Sequence, residues 1–151
     1  MEKRLSLDGN SFLESLKEQF HIESQDIRSY SPLALAYIGD GVYELVIRSI
    51  IVGRANRSAE NLHKSSVRFV KAETQARMVE ALAEELTEEE KEVFRRGRNA
   101  NSHTVAKNAS RGDYRKATGF EALMGYLYLK GEFNRMTELV KSGIEKTGME
   151  I

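Results

Sequence analysis

The sequence predicts an all-α fold, and three observations carry that prediction. Only one proline, Pro32, stands in 151 residues, so little interrupts long helices. Apolar residues recur at three- and four-residue spacing, whereas period-two alternation never persists long enough for a strand. Hydrophobic residues make up 40% and charged residues 30%, the balance of a folded globular chain. A chain of this length buries roughly 70% of its extended surface. One domain over residues 1–151 is expected, without a linker or an internal repeat.

The elements follow in order. Asp8-Gly9-Asn10-Ser11 is capping chemistry ahead of Phe12, Leu13, Leu16 and Phe20 at helical spacing. Ser31 before Pro32 reads as an N-cap with proline at the first helical position, where its missing N–H costs nothing. That helix is expected to run to about Val52 and stop at Gly53. Ser58 opens a long stretch with Leu62, Val67, Phe69, Val70, Ala76, Val79, Leu82 and Leu86 on its apolar face, and a break is expected near Lys71 to Glu73. Thr87 to Glu90 is a capping box starting a short helix with Val93 and Phe94. Residues 97–115 lack a sustained apolar period and contain Gly, Asn and Ser, so a loop of functional length is expected. Ala117 to Lys130 forms an apolar helix ended by Gly131, and a last helix turns Phe133, Met136, Leu139, Val140 and Ile144 inward.

Composition excludes several functions. Cysteine is absent, which removes disulfides, thiolate zinc sites and cysteine nucleophiles. The longest uncharged stretch, residues 29–39, is far short of a membrane span. Met1 to Arg4 leads into no apolar run, so no secretory signal is expected and the cytoplasm is the expected location. Lys plus Arg and Asp plus Glu number 23 each, yet the zero sum hides an uneven distribution. Residues 84–92 hold six acids against Lys91. Residues 95–118 hold seven bases (Arg95, Arg96, Arg98, Lys107, Arg111, Arg115, Lys116) against Asp113. Neighbouring segments of opposite sign create distinct fields at short range. The basic segment, with Asn99, Asn101, Ser102 and His103, offers partners to phosphates and 2′-hydroxyls, the groups by which A-form RNA is recognised.

Candidate chemistry sits on two helices. From Pro32 to Val52 only Asp40, Glu44 and Arg48 are charged; they lie four apart and share one face of a helix that is otherwise apolar nearly all round and should be central. Gly39 and Gly41 flank Asp40, each costing about 1 kcal/mol relative to alanine, which suggests that something approaches the backbone closely. An ordinary solvated stripe remains open for Glu44, which is well placed to pair with Arg48. The second acid, Glu121, is either the end of a Thr118-x-x-Glu121 capping box or a partner of Asp40. Acids from two buried helices that converge can hold a divalent cation, with waters completing its shell. Such a site generates a hydroxide nucleophile and stabilises a phosphodiester transition state. Glu60-x-x-His63 is half of a di-iron pattern without a second copy and reads as surface. His21 and His103 have no partner at ligand spacing, and Tyr126 with Tyr128 reads as packing.

Leu35-Ala-Tyr-Ile-Gly-Asp40-Gly-Val-Tyr-Glu44-Leu-Val46 resembles the signature of the ribonuclease III family, with its Leu-Gly-Asp-x-x-Leu-Glu core. Phe120-Glu121-Ala-Leu-Met-Gly125-Tyr-Leu-Tyr-Leu129 is similar to that family's second motif, in which Phe or Val precedes Glu-Ala-Leu-Ile-Gly. The resemblance covers about residues 31–146 and leaves no room for a double-stranded-RNA-binding domain; with Arg96-Gly-Arg-Asn-Ala100 it points to the Mini-ribonuclease III branch, which is catalytic domain only. It implies a homodimeric, Mg²⁺-dependent endoribonuclease that cleaves double-stranded RNA to leave 5′-phosphates and short 3′ overhangs. The implied substrate is the 23S ribosomal RNA precursor, with ribosomal proteins on it as further partners. Asp40 and Glu121 match the catalytic, metal-binding acids, and Glu44 matches the signature's trailing glutamate, with a supporting role. In the full-length family another acid lies four residues before the signature aspartate and one lies three before the catalytic glutamate. Here those positions are Ala36 and Thr118, which leaves two carboxylates, suited to one Mg²⁺ or to a second that arrives with the substrate phosphate. The RNA contact would be Arg95, Arg96, Arg98, Asn99, Asn101, Ser102, Lys107, Arg111, Arg115 and Lys116. Two alternatives are a non-catalytic double-stranded-RNA-binding module of the same fold and an all-α interaction protein whose acids are only caps and ion pairs.

Overall fold

Helices carry most of the residues that the computed structural model describes, 10–100 and 110–151: α1 (Asn10–Phe20), α2 (Pro32–Arg54), α3 (Ala59–Val70), α4 (Ala72–Ala81), α5 (Glu88–Asn99), α6 (Arg111–Leu129) and α7 (Phe133–Lys146). A 3-10 turn, Ile27–Ser29, precedes α2, and there is no strand among the described residues.

The helix starts follow their caps. The side chains of Ser31, Ser58 and Thr87 accept from the N–H of Ala34, Asn61 and Glu90, and Glu90 returns the bond to the Thr87 N–H. The expected break falls at Lys71, between α3 and α4. Helix α2 runs slightly past its expected end, to Arg54.

The expected loop over residues 97–115 is corrected. Helix α5 continues through Asn99, with Arg96 and Arg98 in its last turn, where cations complement exposed carbonyls. Gly97 continues the helix rather than ending it because it packs on α6, where an added Cβ would meet Ala122 Cβ at 2.7 Å. Helix α6 begins at Arg111, capped by Ser110, whose hydroxyl accepts from the Asp113 N–H at 2.9 Å. Asp8, Gly9, Asn101, Ser102, His103 and Lys107 lie outside the described residues.

Helix α6 is the axis of the packing: Ala117 to Phe120 and Ala122 to Tyr128 are all buried, and α2, α4, α5 and α7 lie against it. The expectation that α2 is central holds for one face only. Leu35, Ala36, Gly39, Val42, Tyr43, Ile47 and Ile51 are buried, whereas Tyr37 is 85% and Leu45 62% exposed. Three acids of the acidic segment make contacts across the fold. Glu90 is buried and receives two 2.8 Å bonds from the Arg135 guanidinium, Glu85 pairs with Lys146 and accepts from Ser142, and Glu89 accepts from Tyr126.

Candidate active site

Asp40 and Glu121 are brought together by an unusually close crossing of α2 and α6. At Gly39 a Cβ would overlap the carbonyl oxygen of Glu121, and at Gly125 it would overlap the carbonyl of Leu35. Glycine at both positions lets two helix backbones touch, and the acids next to the crossing then face each other. The close approach expected at both glycines of Gly39-Asp40-Gly41 is therefore made at Gly39, while Gly41 has nothing within 4 Å among the described residues.

Asp40 is exposed and Glu121 half-buried. Burial, then the charge of Asp40 and a hydrogen bond shared with it, push the Glu121 carboxyl from its ordinary 4.5 up to about 8. Two facing acids repel when both are charged, and a divalent cation between them would offset that repulsion.

The floor beneath them is made by three more side chains. The Tyr43 hydroxyl donates to the Phe69 carbonyl at 2.7 Å, and its ring meets Phe120 edge-on at 5.2 Å. Burial and the nearby Glu121 charge raise the Tyr43 pKa well above its usual value. Gln75, from α4, donates its Nε2 to the Val70 carbonyl at 2.8 Å and to Glu121 Oε2 at 3.3 Å. Sequence reasoning missed Gln75. The signal was present, since a lone polar residue stands four before Val79 and seven before Leu82 on an inward-facing stripe.

The other candidates divide. Glu44 pairs with Arg48 one turn along from Asp40, as its spacing predicts. Thr118 is not a cap: it lies inside α6 and donates to the Tyr114 carbonyl at 3.0 Å, so Glu121 has no capping duty there. Ala36 and Thr118 are both buried. No group of three or more His, Cys, Asp or Glu that could hold a metal occurs among the described residues. Asp40 and Glu121 are hard oxygen donors, and the buried Oε1 of Gln75 beside them has no hydrogen-bond partner, a donor set that suits a largely hydrated divalent cation. Of the basic residues, Arg95 pairs with Glu92 and Lys116 with Glu80. Arg98 lies over the Phe94 ring, Arg115 donates to the Arg98 carbonyl and to Asn99, and Arg96 and Arg111 are exposed. Glu60 and His63 are both exposed, in keeping with a surface role.

Two helices that meet at glycines set an aspartate against a glutamate on an all-α frame. Residues 33–132 match the ribonuclease III domain, and the chain belongs to that family. Its relatives include the Mini-ribonuclease 3 of Clostridium tetani, 49% identical over 83% of each chain, and that of a Thermoanaerobacter species, 47% identical over 82% of this chain and 87% of the relative. A crystal structure of a Fusobacterium nucleatum protein superposes with a TM-score of 0.74 at 30% identity, covering 81% of this chain and 99% of the other. The protein is an endoribonuclease of the ribonuclease III class, which acts on double-stranded RNA. No helix among the described residues is long and apolar enough to cross a membrane.

Proposed function

We propose that the protein cleaves double-stranded RNA in a Mg²⁺-dependent reaction at Asp40 and Glu121, and that its substrate is the 23S ribosomal RNA precursor in the cytoplasm. The observation that carries this reading is the raised Glu121 carboxyl facing Asp40 across the Gly39 crossing. Asp40 and Glu121 would hold the metal, which when bound lowers the pKa of its water and balances charge on the phosphate. Asp40 is exposed and would meet the substrate side; Glu121, half-buried, would hold the metal from the protein side. Glu44, held by Arg48, is a supporting acid one turn away.

Arg95, Arg96, Arg98, Asn99, Arg111, Arg115 and Lys116, with Asn101, Ser102 and Lys107, supply the RNA contact. The described ones lie at the end of α5 and in the first turns of α6, which supports this because basic groups then flank the site of Glu121. The chain works as a homodimer, with one site for each strand of the duplex. Exposed Phe12, Tyr37 and Leu45 around an apolar hollow beside Asp40 favour a covered face there. Ribosomal proteins on the precursor add to recognition.

The test is incubation with long double-stranded RNA and Mg²⁺, with Asp40→Asn and EDTA as controls, followed by precursor transcripts carrying paired ends. Cleavage abolished by both controls supports the reading. Binding without cleavage would assign the chain to the non-catalytic module instead.

A further inference from the structure

Gln75 is 1% exposed, and each polar atom of its carboxamide can be accounted for. The Val70 carbonyl can only accept, so it must face the NH₂ group, which fixes which end of the amide is oxygen. Both hydrogens of that group are then used, one on Val70 and one on Glu121 Oε2. The oxygen on the same planar group is the single buried side-chain N or O atom without a hydrogen-bond partner among the described residues. A buried carbonyl oxygen left without a donor is costly and calls for an explanation. It lies on the group that touches Glu121, one partner of the facing acid pair.

We propose that Gln75 is a positioning residue of the Asp40–Glu121 site, whose nitrogen orients the Glu121 carboxylate and whose free oxygen receives a water of the hydrated divalent cation held there. The inference rests on the metal-dependent reading above. The amide supplies an oxygen without a charge, so it adds a contact for the hydrated cation without adding to the repulsion between the two acids.

The test uses the RNA-free protein and Mn²⁺ as the probe, read by electron paramagnetic resonance. Wild type is expected to bind, Asp40→Asn to lose binding, and Gln75→Leu to bind roughly tenfold more weakly. Gln75→Leu that melts earlier but binds Mn²⁺ with the wild-type affinity would overturn the proposal, because it would leave Gln75 only the task of tying α3 to α4. Wild type without Mn²⁺ binding would instead remove the metal reading, and this inference with it. Should Gln75→Leu not fold, wild type decides: the Gln75 side-chain NH₂ signals are expected to shift on addition of Mg²⁺, and signals that stay fixed while the Glu121 amide moves refute the assignment.

Discussion

Gly39 and Glu121 touch backbone to backbone, and the acid pair exists because they do. A Cβ on Gly39 would overlap the Glu121 carbonyl oxygen and come within 2.7 Å of the Gly125 backbone nitrogen. Neither atom can move without shifting a helix. Gly39→Ala is therefore expected to cost about 3 kcal/mol or more, as overpacking does at its upper end, and to lower cleavage even where the variant folds. Gly53→Ala is the control: among the described residues a Cβ there meets nothing within 4 Å beyond its own helix, so helix propensity alone predicts a gain of up to about 1 kcal/mol. Thermal melts of the two variants side by side check this.

The Glu121 carboxyl makes the metal-free protein sensitive to pH. Its folded value is raised to about 8 from an ordinary 4.5. The folded state therefore keeps a proton that the unfolded chain releases, and the stabilisation this confers is full below the ordinary value. It is lost as pH rises through the folded value. In EDTA, calorimetry is expected to show the melting temperature falling across that window in wild type, with a flatter profile in Glu121→Gln. The carboxyls of Glu85, Glu89, Glu90 and Glu92 are held low by their partners, so their contributions fade on the acid side, below this window.

Much of this frame was legible in the sequence because helix starts are local chemistry. Ser31-Pro32, Ser58 and the box from Thr87 to Glu90 each mark a helix start that the structure has. The pairing of Asp40 with Glu121 came from two motifs, since no periodicity reports which helices cross. What stayed hidden was tertiary. Gly97 looks like a helix end until Ala122 and Gly119 are seen against it. Gln75 looks like surface polarity until its neighbours bury it. The exposed side of α2 carries Leu33, Tyr37, Leu45 and Val52 beside Asp40 and Arg48, so hydrophobicity alone put nearly the whole helix in the core.

The basic end of α5 is expected to act on RNA through charge. Arg95 already pairs with Glu92 in water-exposed positions, and such pairs are worth only about 0–1 kcal/mol, little enough to be exchanged for a phosphate. Replacing Arg95, Arg96 and Arg98 together with alanine should weaken RNA binding and reduce the slope of log affinity against log salt by up to about 3, at roughly one unit for each lost phosphate contact. Arg115→Ala is expected to differ. Its guanidinium holds the Arg98 carbonyl at 3.0 Å and the Asn99 side chain, so it should loosen the α5–α6 junction and lower the melting temperature. Filter binding across a salt series, paired with melts, separates the two effects.

Arg135 and Glu90 give the sharpest test of what holds α7 in place. Glu90 is 5% exposed; its carboxylate takes two 2.8 Å bonds from the Arg135 guanidinium and caps the start of α5 through the Thr87 N–H. Arg135 also donates to the Glu85 carbonyl, joining α7 to the segment ahead of α5. Removing the cation leaves a carboxylate buried and unpaired, which costs about 3–5 kcal/mol where the pair is fully desolvated. Arg135 keeps some exposure, so Arg135→Met is expected near the lower end, about 3 kcal/mol, a fall of roughly 6–12 °C in melting temperature for a chain of this size. Glu90→Gln in the same background removes the stranded charge while keeping an oxygen for the Thr87 cap. The double variant should therefore recover much of the loss, and a double-mutant cycle measures how much. Glu90 is held below the usual carboxylate range mainly by Arg135, so the stability this pair gives is present at neutral pH and fades on acidification. The gap between wild type and Arg135→Met should accordingly be widest at neutral pH and narrow as the solution is acidified. A gap that stays constant with pH would mean that packing of the arginine stem, and not its charge, anchors the helix.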